Sequence, residues 1–497
     1  MTGNLYTSFS NLVSASQRPA LVTPSGEIWS YADLDDLAAR FSAVFASAGC
    51  KPGDRIASQV EKSPAAIALY LASLRGGFVF VPINTAYRES ETRYLVEDAE
   101  PALIVASPDK AEAARAFAKD AAIFTLDDQG EGSIVDAAKT ALPAELQHRD
   151  DGDPALVLYT SGTTGKPKGA VSAHRALRVN TGALTELWQL TGRDIIIHSL
   201  PLFHAHGLTV SCNSAFFVGA AMLWLPRFSA DEVIAMLPRA TVFMGVPTMY
   251  NRLLQSGHLT AAVCKNVRAF ISGSAPLSAD MHQRFREATG HTIVERYGMS
   301  ETGISASNPI EGPRKPGSVG KPLRGIEIRV VDEAGIPLPE GEAGEVQIRS
   351  DSLFSFYWRK PDVTAESRRD GWFSTGDVGR FDEDGYLFLV SRIKDIIITG
   401  GYNVYPSEIE AAFEEIGAGE AAVVGIPHPD FGEAVVAIVT GPNQRSESDL
   451  VAQLKKRVAN YKVPKRILFA EELPRNAMGK VLKAALRQEH RLLFENS

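Results

Sequence analysis

Tyr159-Thr160-Ser161-Gly162-Thr163-Thr164-Gly165-Lys166-Pro167-Lys168-Gly169 follows the apolar run Ala155 to Tyr159. A short strand thus feeds a segment dense in glycine, hydroxyl groups and lysine. Glycines admit positive φ and close backbone approach, so successive N–H groups can converge on an anion. Thr160, Ser161, Thr163 and Thr164 add hydroxyl donors, and Lys168 adds a point charge for phosphate oxygens. The stretch is not a Walker A loop, because no Gly-Lys-[Ser/Thr] occurs in it.

On either side of this loop, short apolar runs alternate with helical patterns. Ala155 to Tyr159, Asp194 to Leu200, Ala221 to Leu225, Thr241 to Gly245 and Val267 to Ser272 are each expected to be followed by a turn and an amphipathic stretch. That alternation predicts an α/β protein with largely buried strands. From about Gly325 the texture changes, and Glu327 to Val331 and Glu345 to Ile348 alternate around Gly/Pro/Glu punctuation. Antiparallel strands of a barrel-like subdomain are expected there. Beyond Lys394 the patterns Ile409 to Glu415, Ala421 to Val424, Val435 to Val439 and Asp449 to Ala459 predict a small α+β domain. The expected division is a large N-terminal domain over 1–393 and a small C-terminal domain over 394–497.

Composition narrows the class. A chain of 497 residues with 45% hydrophobic and 22% charged residues exceeds one compact core and is not disordered. A net charge of -8 argues against nucleic acid or an anionic membrane as partner. Three scattered cysteines deny a disulfide framework and fit a reducing compartment. Met1 to Ser16 lacks the pattern of a secretory signal, so the cytoplasm is the expected location. Gly207 to Pro226 is uncharged and nearly long enough to span a bilayer, yet Ser211, Asn213, Ser214 and Gly219 interrupt it. A buried helix running into a buried strand is the expectation.

The phosphate-type loop resembles that of the adenylate-forming superfamily of acyl-CoA synthetases, luciferases and peptide-synthetase adenylation domains. Further segments resemble its other motifs in order. They are Pro201-Leu202-Phe203-His204, Ser272-Gly273-Ser274-Ala275-Pro276-Leu277, Arg296-Tyr297-Gly298-Met299-Ser300-Glu301 and Ser374-Thr375-Gly376-Asp377. Arg392-Ile393-Lys394-Asp395 with Gly400-Gly401, and Pro474 to Lys480, complete the series. The resemblance runs from Ser30-Tyr31 to about Lys480. Ser391 stands where the family usually has glycine.

The resemblance implies a two-step reaction using ATP, Mg2+ and coenzyme A. A carboxylate first attacks the α-phosphate, and a thiol then takes the acyl group. Lys168 and the 160–165 loop would hold phosphates, while Glu301 and Thr164 would hold Mg2+. Lys480 would bridge carboxylate and α-phosphate, and His204 would gate the site. Ser274, Ala275, Pro276, Glu295, Arg296, Tyr297, Gly298, Met299 and Ser300 would surround the nucleotide. Asp377 would accept from the ribose hydroxyls with Arg392 beside it. The C-terminal domain would turn about Lys394, bringing Gly400, Gly401 and Tyr402 to line a thiol tunnel. With no carrier domain in the sequence, free coenzyme A is the expected acceptor.

Acid choice rests on a narrower pattern. Met249 and Arg252 are three apart and share a face if Pro247 starts a helix. A guanidinium in an apolar pocket costs on the order of 3–5 kcal/mol when its partner is missing. A second carboxylate on the substrate would supply that partner. The segments around Arg252, His204-Ala205-His206-Gly207-Leu208 and Ser274 resemble the malonyl-CoA synthetases within the superfamily. In those enzymes the matching arginine and serine hold the distal carboxylate, with a histidine at the place of His206 nearby. A small dicarboxylic acid, malonate or methylmalonate, is therefore the expected substrate. Oxalyl-CoA synthetases share the His-x-His-Gly-Leu pattern and are the near rival. A luciferase-like oxygenase and a non-catalytic binding module are rivals of a different class. Monomer and homodimer stay open.

Overall fold

The computed structural model describes residues 3–160, 166–441, 445–476 and 478–495. Two large sheets form the bulk of the molecule. One has nine strands, and its centre is the parallel set Pro19–Val22, Ala221–Trp224, Ile195–His198, Val242–Gly245, Ala269–Ser272 and Val294–Met299. The other has seven strands around the parallel set Pro154–Thr160, Val79–Pro82, Arg55–Gln59, Leu103–Ala106 and Ala122–Thr125.

The strand period of two divides the apolar residues between layers. Ile196, Met222, Met244 and Ile271 face a core shared with Ile56, Phe80, Val105 and Leu156 of the second sheet. Their neighbours Ile197, Leu223, Phe243 and Phe270 point the other way, under helices Ala230–Met236, Pro247–Gln255 and Ala279–Thr289. Both faces of each strand are thus buried, as continuous apolar runs predict.

A third, antiparallel sheet holds Ile326–Val331, Gly344–Ser350, Arg368–Arg369, Trp372–Phe381 and Leu387–Arg392. The turn Ile393–Asp395 then leads into a fourth sheet of Ile397–Thr399, Tyr402–Val404, Glu420–His428, Gly432–Thr440 and Arg466–Ala470. Val423, Val435 and Val439 pack on one face of it, and Val424, Val436 and Ile438 on the other.

Two local expectations need correction, and a third is refined. The strand before the phosphate-type loop is not followed by a helix. It returns as the antiparallel strand Lys168–Ala173, with Thr160 opposite Lys168. The predicted helix 449–459 is Glu447–Leu454, because Lys456 and Arg457 bond back only three residues and tighten the chain out of the helix. The uncharged stretch Gly207 to Pro226 does fold as helix into strand, and the seven residues His206–Cys212 at its start wind as a π-helix. Among the described residues no helix is long and apolar enough to cross a membrane.

Candidate active site

The parallel strands of the nine-stranded sheet end together, and the segments beyond their carboxyl ends carry His204, His206, Met249, Arg252, Ser274, Ala275, Pro276, Ser300 and Glu301. Open α/β sheets bind ligands at that edge.

Asp377 and Arg392 are register partners across an antiparallel pair, and Arg392 Nε lies 2.9 Å from Asp377 Oδ1. The hydroxyl of Tyr297 donates to Asp377 Oδ2 at 2.6 Å. Burial, together with the Asp377 charge, pushes the Tyr297 phenol well above its ordinary range and keeps it a donor. Buried Asp377 and Tyr297, with half-buried Arg392, form one acceptor site between the strands Val294–Met299 and Trp372–Phe381.

Glu301 is likewise buried, and its Oε1 accepts from Tyr357 at 3.0 Å and Thr160 at 3.3 Å. Burial holds its carboxyl above the usual range. Lys168 Nζ stands 5.5 Å from the same Tyr357 ring, so Lys168 and Glu301 share one neighbour. Among the described residues no ion pair reaches this buried carboxyl, and such a group fits a cation. Mg2+ takes one or two carboxylates and completes its shell with phosphate oxygens and water. Glu301 would hold it, and the ion would neutralise phosphate charge. Of the other loop residues, Ser161, Gly162, Thr163, Thr164 and Gly165 lie outside the described residues.

Lys480 ends a tight turn. Asn476 Oδ1 accepts from the backbone N–H of Met478 and of Lys480, each at 3.0 Å, and Asn476 N–H donates to the Lys480 carbonyl at 3.0 Å. Gly479 takes φ +74°, and a Cβ there would lie 2.6 Å from Thr248 Oγ1. Met478 is buried in the main core. The turn is therefore docked on the start of helix Pro247–Gln255. Burial, with Arg392 next and Lys394 adding, lowers the Lys480 ammonium to about 8, while Asp377 and Asp395 oppose. Lysine, aspartate and arginine from three predicted motifs thus meet electrostatically.

The acid wall divides into two parts. Pro247 does start the helix, and Met249 and Arg252 line a cavity of about 410 Å3 with Phe203, Thr248, Asn476 and Gly479. His206 and Ser274 are not on that cavity; they pair with each other, Ser274 Oγ standing 3.5 Å from His206 Nδ1. Burial lowers His204 to about 4 and His206 further, the latter with help from Arg296, so both rings are neutral at pH 7.

The side chains of Glu295 and Arg296 both turn into the protein. The Glu295 carboxylate is taken by His282 Nε2 at 2.6 Å and by the Gly317 N–H at 3.2 Å. Arg296 runs beneath Gly273, where a Cβ would lie 2.4 Å from its guanidinium carbon. It is 5% exposed, and its Nε and Nη2 have no partner among the described residues. That orphaned cation beside His206 was not legible, because strand alternation alone does not say which face meets the acid. Tyr357 also escaped the sequence reading, since nothing in Phe356-Tyr357-Trp358 marks it until the strand pairs with Lys168–Ala173.

Lys394 sits exposed in the turn between the third and fourth sheets. Gly400 and Gly401 are the two-residue tip of a hairpin with φ +55° and +82°, the conformation such a tip requires. Both are exposed with Tyr402, whose ring stacks on Tyr461 at 4.6 Å. In this arrangement Lys480 lies in the site and the hairpin lies outside it.

Fold and site together define an enzyme that binds a nucleotide and activates an acid on it. The chain belongs to the AMP-binding enzyme family, whose main domain matches residues 11–358 and whose C-terminal domain matches 408–480. A malonate–CoA ligase of Arabidopsis thaliana is 34% identical over 97% of this chain and 87% of its own length. A feruloyl-CoA synthase of an Amycolatopsis species is 33% identical over 95% and 96%. The ATP-bound crystal structure of MatB from Rhodopseudomonas palustris superimposes with TM-score 0.97 at 43% identity, covering 99% of this chain and 100% of that one. Its apo form gives 0.85 over the same shares.

Proposed function

We propose that the protein is an AMP-forming acid–CoA ligase that makes malonyl-CoA from malonate, with methylmalonate as a second acid for the same pocket. A carboxylate oxygen attacks the α-phosphorus of ATP, and the bond to pyrophosphate breaks. The thiol sulfur of coenzyme A then attacks the acyl carbonyl carbon, AMP leaves, and the thiol proton passes to solvent. Lys480 offsets the repulsion between carboxylate and phosphate, which is positioning and electrostatic catalysis. Asp377 accepts from the ribose hydroxyls while Arg392 and Tyr297 fix its orientation. Gly298, Met299, Ser300, Ala275 and Pro276 form the nucleotide wall.

The observation that carries the acid assignment is the pair of arginines at the acid wall. Arg252 lines the cavity with its side chain open to solvent, whereas Arg296 is buried with two nitrogens that have no partner among the described residues. Leaving a buried charge unpaired costs about 3–5 kcal/mol. A second carboxylate on the substrate removes that cost, and Ser274 and neutral His206 supply hydrogen bonds to it. Likeness to a malonate–CoA ligase and to MatB supports the same reading.

The division falls at Lys394, about which the C-terminal domain turns after adenylation to present Gly400, Gly401 and Tyr402 to the thiol. The better fit to the ATP-bound relative supports reading this arrangement as that of the first half-reaction. Three buried free cysteines favour a reducing compartment, the cytoplasm.

The test is coenzyme A-dependent AMP formation with ATP, Mg2+ and malonate, methylmalonate, oxalate, succinate, acetate, butyrate or benzoate. Malonate is expected to be best, with methylmalonate close, because one methyl changes binding by only about 1–3 kcal/mol. A leading rate with oxalate or a monocarboxylic acid would overturn the assignment.

A further inference from the structure

Lys62 is 7% exposed and stands one residue before Ser63, the N-cap of helix Pro64–Arg75. It belongs to the seven-stranded part of the molecule, yet its ammonium reaches into the nine-stranded sheet. Nζ donates to the carbonyl of His198 at 2.7 Å and to that of Leu225 at 2.6 Å. These carbonyls lie at the carboxyl ends of Ile195–His198 and Ala221–Trp224. The ammonium also stands 4.3 Å from the ring of Trp224, which stacks on His198 at 4.7 Å. His198 Nε2 is 3.0 Å from the Gly207 carbonyl and 3.2 Å from Cys212 Sγ.

These contacts enclose one loop. His198 begins the segment 199–206, which carries Phe203, His204 and His206, and Gly207 immediately follows it. The His198 ring joins the two ends through the Gly207 carbonyl, and Lys62 anchors the His198 backbone to the other sheet. Burying an ammonium costs several kcal/mol before its partners repay any of it. Burial lowers Lys62 to about 7, so the position is costly whichever form it takes. A methionine or leucine would fill the same space against Trp224 without that cost. What the ammonium adds is direction, since two strand ends from one sheet are held to a fixed point on another.

We infer that Lys62 is a positioning residue for the acid site, acting through His198 on the loop that carries His204 and His206. It reaches the acid only through that loop and the cavity it lines with Met249 and Arg252. The Asp377 and Glu301 sites are built on other strands, and among the described residues no hydrogen bond or ion pair joins Lys62 to them. Its removal therefore acts on the acid and spares the nucleotide. A misplacement of about 1 Å in such a loop costs on the order of 10²-fold in rate.

The inference rests on the reading of this loop as part of the acid wall. The experiment measures KM for the best acid of the panel and KM for ATP in wild type, Lys62→Met and Lys62→Gln, beside Tm. Expected is a rise of about tenfold or more in acid KM, with ATP KM within about twofold of wild type. Lys62→Gln keeps a donor for one carbonyl and is expected to fall between. Equal changes in both KM values, a Tm loss without a KM split, or failure of both variants to fold would each show a merely structural lysine and overturn the inference. If wild type activates none of the acids, the functional reading fails instead, and the two failures are told apart.

Discussion

Lys480 holds its proton less tightly than a lysine on the surface, and the cause is local. Burial and the neighbouring Arg392 bring it down to about 8, against the pull of Asp377 and Asp395. Only the ammonium form bridges a carboxylate and a phosphate. The charged form prevails below the shifted value and is lost above it, so kcat/KM for pyrophosphate release should fall as pH rises through about 8. Lys480→Met should remove that limb and lower the rate by roughly 10²–10³. A profile flat well beyond that pH would refute the placement. The order of motifs marked Lys480, Asp377, Arg392 and Glu301, because each is a charged residue at a recognisable spacing. It did not mark which way a strand residue points. The sequence marks Arg296 as a nucleotide contact, and the structure adds that its guanidinium lies under Gly273 and beside His206.

At the level of elements, the turn carrying Lys480 must fit against another element to work. Gly479 has φ +74°, and a methyl there would meet Thr248 Oγ1 at 2.6 Å. Gly479→Ala is expected to lift the turn off helix Pro247–Gln255 and slow adenylation by about 10²-fold. Thioester formation from supplied acyl-adenylate should persist, since that step does not need Lys480 in place. Wild-type pyrophosphate release by this variant would contradict the docking. Buried strands were legible here because continuous β-branched runs leave few alternatives, and helix Pro247–Gln255 because proline opens it. The return strand Lys168–Ala173 was not legible. Its Gly169, Ala170, Ser172 and Ala173 are too small to give an alternating signal, and pairing is set by packing on Val157 and Trp358. The π-helix at His206 has no simple sequence sign, since its apolar residues suit a helix of either pitch.

For the whole molecule, one chain has to serve two steps with one site. With Lys480 docked and the Gly400-Gly401 hairpin exposed, the structure suits acid activation, and the proposed function has the C-terminal domain turn for the thiol step. Lys394 lies in the short turn between sheets, where few residues absorb a rotation. Lys394→Pro fixes φ near −65° there, a value ordinary for a 3-10 turn, and removes the φ freedom that a rotation about this residue would use. Pyrophosphate release should survive in that variant while malonyl-CoA formation from supplied adenylate falls steeply. Equal loss of both steps, or loss of neither, would place the hinge elsewhere. The junction was visible in sequence as a change in strand texture, but the packing of the Lys480 turn against Thr248 joins residues too distant in the chain to pair by pattern.

The most direct test of a distal-carboxylate pocket compares kcat/KM for malonate and for butyrate in wild type and in Arg252→Ala. The account predicts that wild type favours malonate by about 10⁴ or more, because a charged partner is left unpaired by the monocarboxylic acid. It predicts that Arg252→Ala loses most of that preference while KM for ATP stays unchanged. Equal use of the two acids by wild type, or a silent Arg252→Ala, would contradict it.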